Sequence, residues 1–147
     1  MADHSLKISL GSDHAGFELK EAIKAWLLQE GYAVNDFGTD SLESTDYPKY
    51  VRPAAESVAQ GDSDCGIVFG GSGNGEAIQA NKVEGIRCGL CWNLWSAEMT
   101  KAHNNANVIA LGGRVVDSKT GIAIVEKWLS TEFEGGRHER RINQLER

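Results

Sequence analysis

The residues from Gly70 to Glu76, Gly-Gly-Ser-Gly-Asn-Gly-Glu, offer the most chemistry in this 147-residue chain. Four glycines in six positions let backbone N–H groups turn toward a bound anion, and phosphate is the natural guest. A tight turn that needs positive φ angles is the plainer reading, although one or two glycines would serve it. The loop does not match the known nucleotide loops. A Walker loop ends in Gly-Lys-Ser/Thr, and here the sequence is Gly-Asn-Gly-Glu. The dinucleotide fingerprint G-x-G-x-x-G, read from Gly71 and Gly73, meets Glu76 where it needs glycine. A small phosphorylated molecule is therefore the better expectation. Glu76 beside an anion loop calls for a reason. It is either a solvated glutamate favoured by a helix N-terminus, or a general base acting on a carbon acid next to the phosphate. Position alone leaves both open.

Other candidates follow the same logic. Asp13-His14 ends a short apolar run, although Asp13 could equally cap the helix that starts at Phe17. His103 is an acid or base if it has a partner, while Asn104 and Asn105 read as a helix stop. Arg114 suits a phosphate or carboxylate clamp. Arg137 and Arg141 are spaced to share one helical face, with Arg140 beside them. Cys88 and Cys91 form a C-x-x-C inside a strand, where the thiols point to opposite faces and read as small apolar residues. No second Cys/His pair suggests zinc, so no metal is expected. Of the four tryptophans, Trp92 is the one expected to reach a ligand, the others being core or edge residues.

The elements that must position these groups alternate in type. Strands are expected at Leu6 to Leu10, Tyr32 to Phe37, Cys65 to Phe69, Ile86 to Trp92 and Val108 to Leu111. Helices are expected at Phe17 to Glu30, about Tyr47 to Ala59, Glu76 to Lys82, Leu94 to His103 and Ser118 to Leu129. Pro53 is awkward in the second of these and suggests a kink or a later start. Ser118 or a neighbour caps the last. Residues before Leu6 read as a loose terminus, and Arg137 to Arg147 as a polar, helical tail. Five strands alternating with helices imply one α/β domain over residues 1–147. Its expected form is a Rossmann-like, doubly wound sandwich with a five-stranded parallel sheet and a C-terminal helical tail. Ligands of such sheets bind beyond the carboxyl ends of the strands. That rule selects Asp13, His14, the glycine loop, Trp92, Asn93 and Arg114.

Composition narrows the classes further. Fifteen Lys and Arg against 21 Asp and Glu leave a net charge of −6, which argues against a nucleic-acid partner. No apolar stretch approaches membrane-spanning length, and Met1 to His14 does not read as a signal peptide. Three cysteines do not make a disulfide framework, so a reducing cytoplasm is expected.

The strings GSDHAGFELK, TDYP, GGSGNGEAIQANK, GIRCGL, HNNANVIALGGR and GRHERR run in order along almost the whole chain. Together they resemble the ribose-5-phosphate isomerase B family, the ribose/galactose sugar-phosphate isomerases. One version of that family carries a catalytic cysteine just before the glycine loop. Here that position is Gly70, and Cys65 lies five residues too early to replace it. The other version, the actinobacterial type, uses a glutamate after the loop, which is Glu76 here. The resemblance implies Glu76 as base, Ser72 moving protons between O1 and O2, and His103 opening the furanose ring. It implies sugar or phosphate contacts from Asp13 and His14, and an anion hole from the backbone of Gly71, Ser72, Gly73, Asn74 and Gly75. Asn104 would bind a hydroxyl, and Arg114, Arg137 and Arg141 the phosphate. The loop's anion then becomes the enediolate, which removes the clash between Glu76 and a phosphate. It further implies no cofactor, a sugar phosphate as substrate, and a homodimer or tetramer with the site at a subunit interface. The same chemistry on allose 6-phosphate, galactose 6-phosphate or a tetrose phosphate is the near alternative. A non-catalytic phosphosugar-binding module and a flavodoxin-like nucleotide binder are the distant ones.

Overall fold

The computed structural model describes residues 4–145. Its elements run β1 (Lys7–Ser12), α1 (Phe17–Gln29), β2 (Ala33–Asp36), α2 (Pro48–Ala59), β3 (Cys65–Gly70) and α3 (Asn74–Asn81). They continue with β4 (Cys88–Leu90), α4 (Leu94–Ala102), β5 (Val108–Gly112), α5 (Ser118–Ser130) and α6 (Arg137–Leu145). A short 3₁₀ turn, His14–Gly16, precedes α1. The first three residues of the expected loose terminus and the last two of the tail lie outside the described residues.

The five strands form one parallel sheet in the order β2-β1-β3-β5-β4. This is the doubly wound α/β sandwich that the alternation of elements implies. The central strands β1, β3 and β5 are buried on both faces because helices cover both, and the face of β1 toward α2 carries Ser9, whose Oγ donates to the Ala54 carbonyl at 2.9 Å. Ile8, Leu10, Ile67, Phe69, Ile109 and Leu111 join Leu19, Ile23 and Leu27 of α1 and Ile124 and Trp128 of α5 in one core. Val68, Val108 and Ala110 meet Val51, Ala54, Ala55 and Val58 of α2 in the other. Each large side chain buried in this way contributes about 1.5–3 kcal/mol. Lys20 is also buried, with its ammonium 2.7 Å from Asp36 and 2.7 Å from Glu21, which ties α1 to the end of β2.

Several local details sharpen or change the pattern reading. Helix α2 starts at Pro48, which suits a first helical position, and runs through Pro53 at the loss of one backbone donor. Helix α3 starts two residues before Glu76, so that residue stands in its first turn. Helix α5 is capped by Asp117, which accepts a hydrogen bond from the Thr120 N–H at 2.8 Å. Cys88 packs against one core and Cys91 belongs to the other, as alternation requires. Burial pushes the Cys91 thiol up to about 12 and the Cys65 thiol up to about 12, so neither is a reactive thiolate. Trp92 corrects an expectation. It is half-exposed on the outermost strand's side, beyond β5, and does not line the cavity at the strand ends. Trp95 is exposed as well, while Trp128 is fully buried and donates its Nε1–H to the Ala106 carbonyl at 3.1 Å. Among the described residues no helix is long and apolar enough to cross a membrane.

Candidate active site

The winding of the sheet reverses between β1 and β3. The chain leaves β1 for β2 on one side and returns to β3 on the other. Diverging crossovers open a crevice at the carboxyl ends of such a strand pair. A cavity of about 440 Å³ lies there, lined by Asp13, His14, Ala15, Tyr47, Gly71, Ser72, Gly75, Glu76, Arg114 and Val115. Four connections thus converge on it: those after β1, β3 and β5, and the loop leading into α2. A larger cavity of about 680 Å³ lies instead at the amino ends of β4 and β5, where Arg87, Cys88 and Asn104 contribute. Volume alone does not locate the chemistry.

Glu76 is 3% exposed although it lines the cavity. Burial pushes its carboxyl above the usual range, and the neighbouring Asp13 charge adds to that. Its own backbone N–H and that of Gly73 oppose the shift by facing the carboxylate. Two donors of the glycine loop are thus turned toward the chain's own acid. Gly73 stands at φ +88°, the left-handed conformation that aims the loop into α3. Gly70 is required for another reason. A Cβ built there would fall on the Glu76 carboxylate itself. The carboxylate therefore occupies the space into which a side chain at residue 70 would project.

The surrounding groups are held by the loops. Asp13 is buried, and its Oδ1 accepts from the Gly16 N–H at 3.1 Å. It caps the 3₁₀ turn before α1, so its capping role and its place in the cavity coexist. His14 Nδ1 accepts from the Thr45 N–H at 3.1 Å, which leaves the proton of a neutral ring on Nε2. Ser72 Oγ accepts from the Asn74 N–H at 3.1 Å and keeps its own proton to donate. The Arg114 N–H bonds the Gly71 carbonyl at 3.0 Å, and the Gly113 N–H bonds the Gly70 carbonyl at 2.7 Å. These bonds lock the loop after β5 onto the glycine loop. The Arg114 guanidinium passes over Gly71, with Nη1 3.3 Å from where a Cβ would stand.

Gly73 and Asn74 belong to the loop without lining the cavity, and His103, Asn104, Arg137 and Arg141 lie elsewhere. Helices of this fold return toward the amino ends of the strands. Residues that terminate α4, or that follow α5, therefore stand at the opposite end of the sheet from Glu76. His103 caps the end of α4 and stacks on His138 of α6, with ring centroids 4.1 Å apart and an interplanar angle of 9°. Glu134 Oε1 is 3.8 Å from His103 Nε2 and 3.4 Å from His138 Nε2. Asn104 lines the larger cavity, and its carbonyl accepts from Arg87 Nε at 2.9 Å.

Of the lining residues that residue-type reasoning missed, Ala15, Tyr47 and Val115, Tyr47 is the one with a polar group. Its ring lies against Gly75, where a Cβ would come within 2.6 Å of it. The signal was the Asp46-Tyr47-Pro48 sequence. A proline at the first helical position fixes the preceding residue at the helix entrance, beside the strand ends.

Fold and cavity define a class: a parallel α/β protein with an open cavity at a sheet switch point, lined by a buried carboxylate and an arginine. The chain belongs to the Ribose/Galactose Isomerase family, whose model matches residues 8–145. It is 45% identical over 139 residues to Ribose-5-phosphate isomerase B of Escherichia coli, covering 95% of this chain and 93% of that protein. A solved structure of Clostridium thermocellum Ribose-5-Phosphate Isomerase B superposes with a TM-score of 0.94 at 48% identity, covering 95% of each chain. The Mycoplasma genitalium enzyme, solved with bound ribulose-5-phosphate, superposes with a TM-score of 0.92 at 36% identity, covering 97% of this chain and 95% of that one.

Proposed function

We propose that the chain interconverts D-ribose 5-phosphate and D-ribulose 5-phosphate, with Glu76 as the base. The observation that carries this reading is a carboxylate buried at 3% exposure yet lining an open cavity with Ser72 and Arg114. The family spans ribose and galactose isomerases, and it is the ribose-5-phosphate isomerase B relatives, one of them solved with bound ribulose-5-phosphate, that favour a pentose phosphate.

The mechanism follows from the acidity of an open-chain aldose. The proton on C2, beside the C1 aldehyde, is weakly acidic. Glu76 removes it, the electron pair forms the C1–C2 double bond, and negative charge develops on O1. N–H groups of the glycine loop bond that oxygen, and Ser72 carries a proton between O1 and O2. Glu76 then returns its proton to C1, leaving the ketone at C2. A base whose pKa is raised toward the working pH removes a carbon-bound proton more effectively. Preorganised donors at the oxyanion are worth about 2.7–4 kcal/mol each in comparable sites. His14 and Asp13 hold the sugar, and Arg114 meets the phosphate.

A second copy completes the site. His103, Asn104, Arg137 and Arg141 stand at the far end of the sheet from their own chain's Glu76. In a two-fold dimer, one subunit's far end faces its partner's cavity. His103 then opens the furanose, Asn104 takes a hydroxyl, and Arg137 and Arg141 close on the phosphate. Exposed Ile78 on the Glu76 helix and Val115 beside Arg114 suit a surface that a partner covers. The reading assigns the enzyme to the cytoplasm, in sugar-phosphate metabolism.

The test compares wild type with Glu76→Gln for conversion of ribose 5-phosphate, with chelator present. Turnover that collapses in the variant while ribose 5-phosphate still binds supports the reading. Wild-type turnover absent on ribose 5-phosphate but present on a hexose or tetrose phosphate overturns the pentose assignment. Equal turnover in both proteins removes Glu76 as base.

A further inference from the structure

His103, Glu134 and His138 come from three separate segments: the end of α4, the loop after α5, and α6. The Glu134 N–H bonds the Ala102 carbonyl at 2.9 Å, which pins that loop against the end of α4. Gly135 and Gly136, at φ +69° and +58°, then turn the chain so that α6 brings His138 back over the same spot. One donor atom from each residue lies within 4.8 Å of the other two. His138 is buried, and its Nε2 makes no hydrogen bond, although it faces Glu134 Oε1 at 3.4 Å. A buried ring nitrogen left without a partner is costly, and a ligand there would remove the cost.

We propose that these three side chains form a reversible site for a divalent transition ion, Zn²⁺ in the first place, that sequesters His103. Two imidazoles and one carboxylate suit zinc with water as fourth ligand. Zinc bonds of about 2.0–2.1 Å place tetrahedral donors about 3.3 Å apart. The 3.4 Å and 3.8 Å separations from Glu134 are near that edge length. Parallel rings do not aim their lone pairs at one point, so one ring must turn. His138 is packed in place, so the turn falls to His103, 37% of whose side chain is exposed. Arg137 and Arg141 are close enough for their charge to act on His138. They oppose a cation, so the ion comes and goes with its concentration. Because the nitrogen lone pair of His103 is then engaged, the ion blocks ring opening. This consequence rests on the role given to His103 above; the site itself does not.

The experiment titrates tag-free protein with Co²⁺, a spectroscopic stand-in for zinc. Visible d–d bands of tetrahedral strength that saturate at one ion per chain, and that Zn²⁺ erases, are expected. Glu134→Gln and His138→Gln should each lose the bands with an unchanged circular dichroism spectrum. Glu134 is half-exposed, so its variant folds normally. Zn²⁺ should inhibit wild type reversibly to chelator and leave Glu134→Gln, measured against its own metal-free turnover, unaffected. Absent bands, or bands that persist in both variants, overturn the site. Bands lost in both variants with full turnover under saturating Zn²⁺ uphold the site and overturn the role of His103.

Discussion

The cavity around Glu76 and the histidine corner at the end of α4 are both rich in chemistry, yet they are built in opposite ways. The first is assembled by loops that leave adjacent parallel strands, locked together by backbone bonds such as Gly113 to Gly70. Its acid is buried, and its glycines are dictated by contact. The second gathers side chains from residues 103, 134 and 138 at the other end of the sheet, with Glu134 half-exposed. The difference teaches that a parallel sheet prepares one end for chemistry. On the reading proposed above, groups carried by the returning helices reach such a site from a neighbouring copy.

The sharpest way to break that contrast is to remove the acid. Glu76→Gln should lower turnover of ribose 5-phosphate about a thousandfold, within the roughly 10²–10⁴ that a positioned base supplies. A loss of tenfold or less would mean that the preformed cavity does not hold the base. Next in size is Gly70→Ala, whose Cβ must displace the Glu76 carboxylate. Turnover should fall about a hundredfold, the scale of a displacement near 1 Å, while KM changes less. Unaltered kcat in a folded variant would sever the link between Gly70 and the acid.

A mixing experiment tests whether the two regions meet across a subunit boundary. Glu76→Gln and His103→Asn are each assayed alone and then after co-expression. Half of randomly mixed dimers carry one of each chain, and each such dimer contains one intact site. About a quarter of wild-type activity should therefore return. No recovery from two inactive parents would place His103 in the same chain's reaction, and an active His103→Asn parent would place it outside the reaction.

The smallest effect is thermodynamic. A carboxyl whose native pKa lies above its unfolded value, as for Glu76, binds its proton more tightly when folded. Stability therefore falls as pH rises from the unfolded value of about 4.3 through the native one, and the full cost stays above it. Glu76→Gln should thus raise Tm by a few degrees at neutral pH, with the gain vanishing below about pH 4. The same shift moves the acid limb of kcat/KM for the wild type above the ordinary glutamate range. A Tm difference independent of pH would contradict the burial of a charged Glu76.

Much of this was legible in residue order. Alternating apolar runs and helical periods define the parallel α/β class, because strand and helix periods are local properties. Glycines after β3, with Asp13, His14, Glu76 and Arg114 at predictable strand ends, mark the cavity, because every strand of a parallel sheet delivers its following loop to one edge. Tyr47 escaped that rule because it precedes a helix and follows a long loop, so its arrival beside Gly75 depends on packing. Trp92 misled because strand order is not written in periodicity: β5 inserts between β3 and β4 and carries β4 to the rim. The triad at residues 103, 134 and 138 has no metal-ligand spacing that a linear reading would catch; a double-glycine turn makes it. Residue order alone established the set of reactive groups and the edge to which strand-end loops bring them. Packing established the rest: the Glu76 carboxyl is buried, Gly70 makes room for it, and His103 stands at the other end of the sheet, since burial and distance are properties of packed neighbours rather than of residue order.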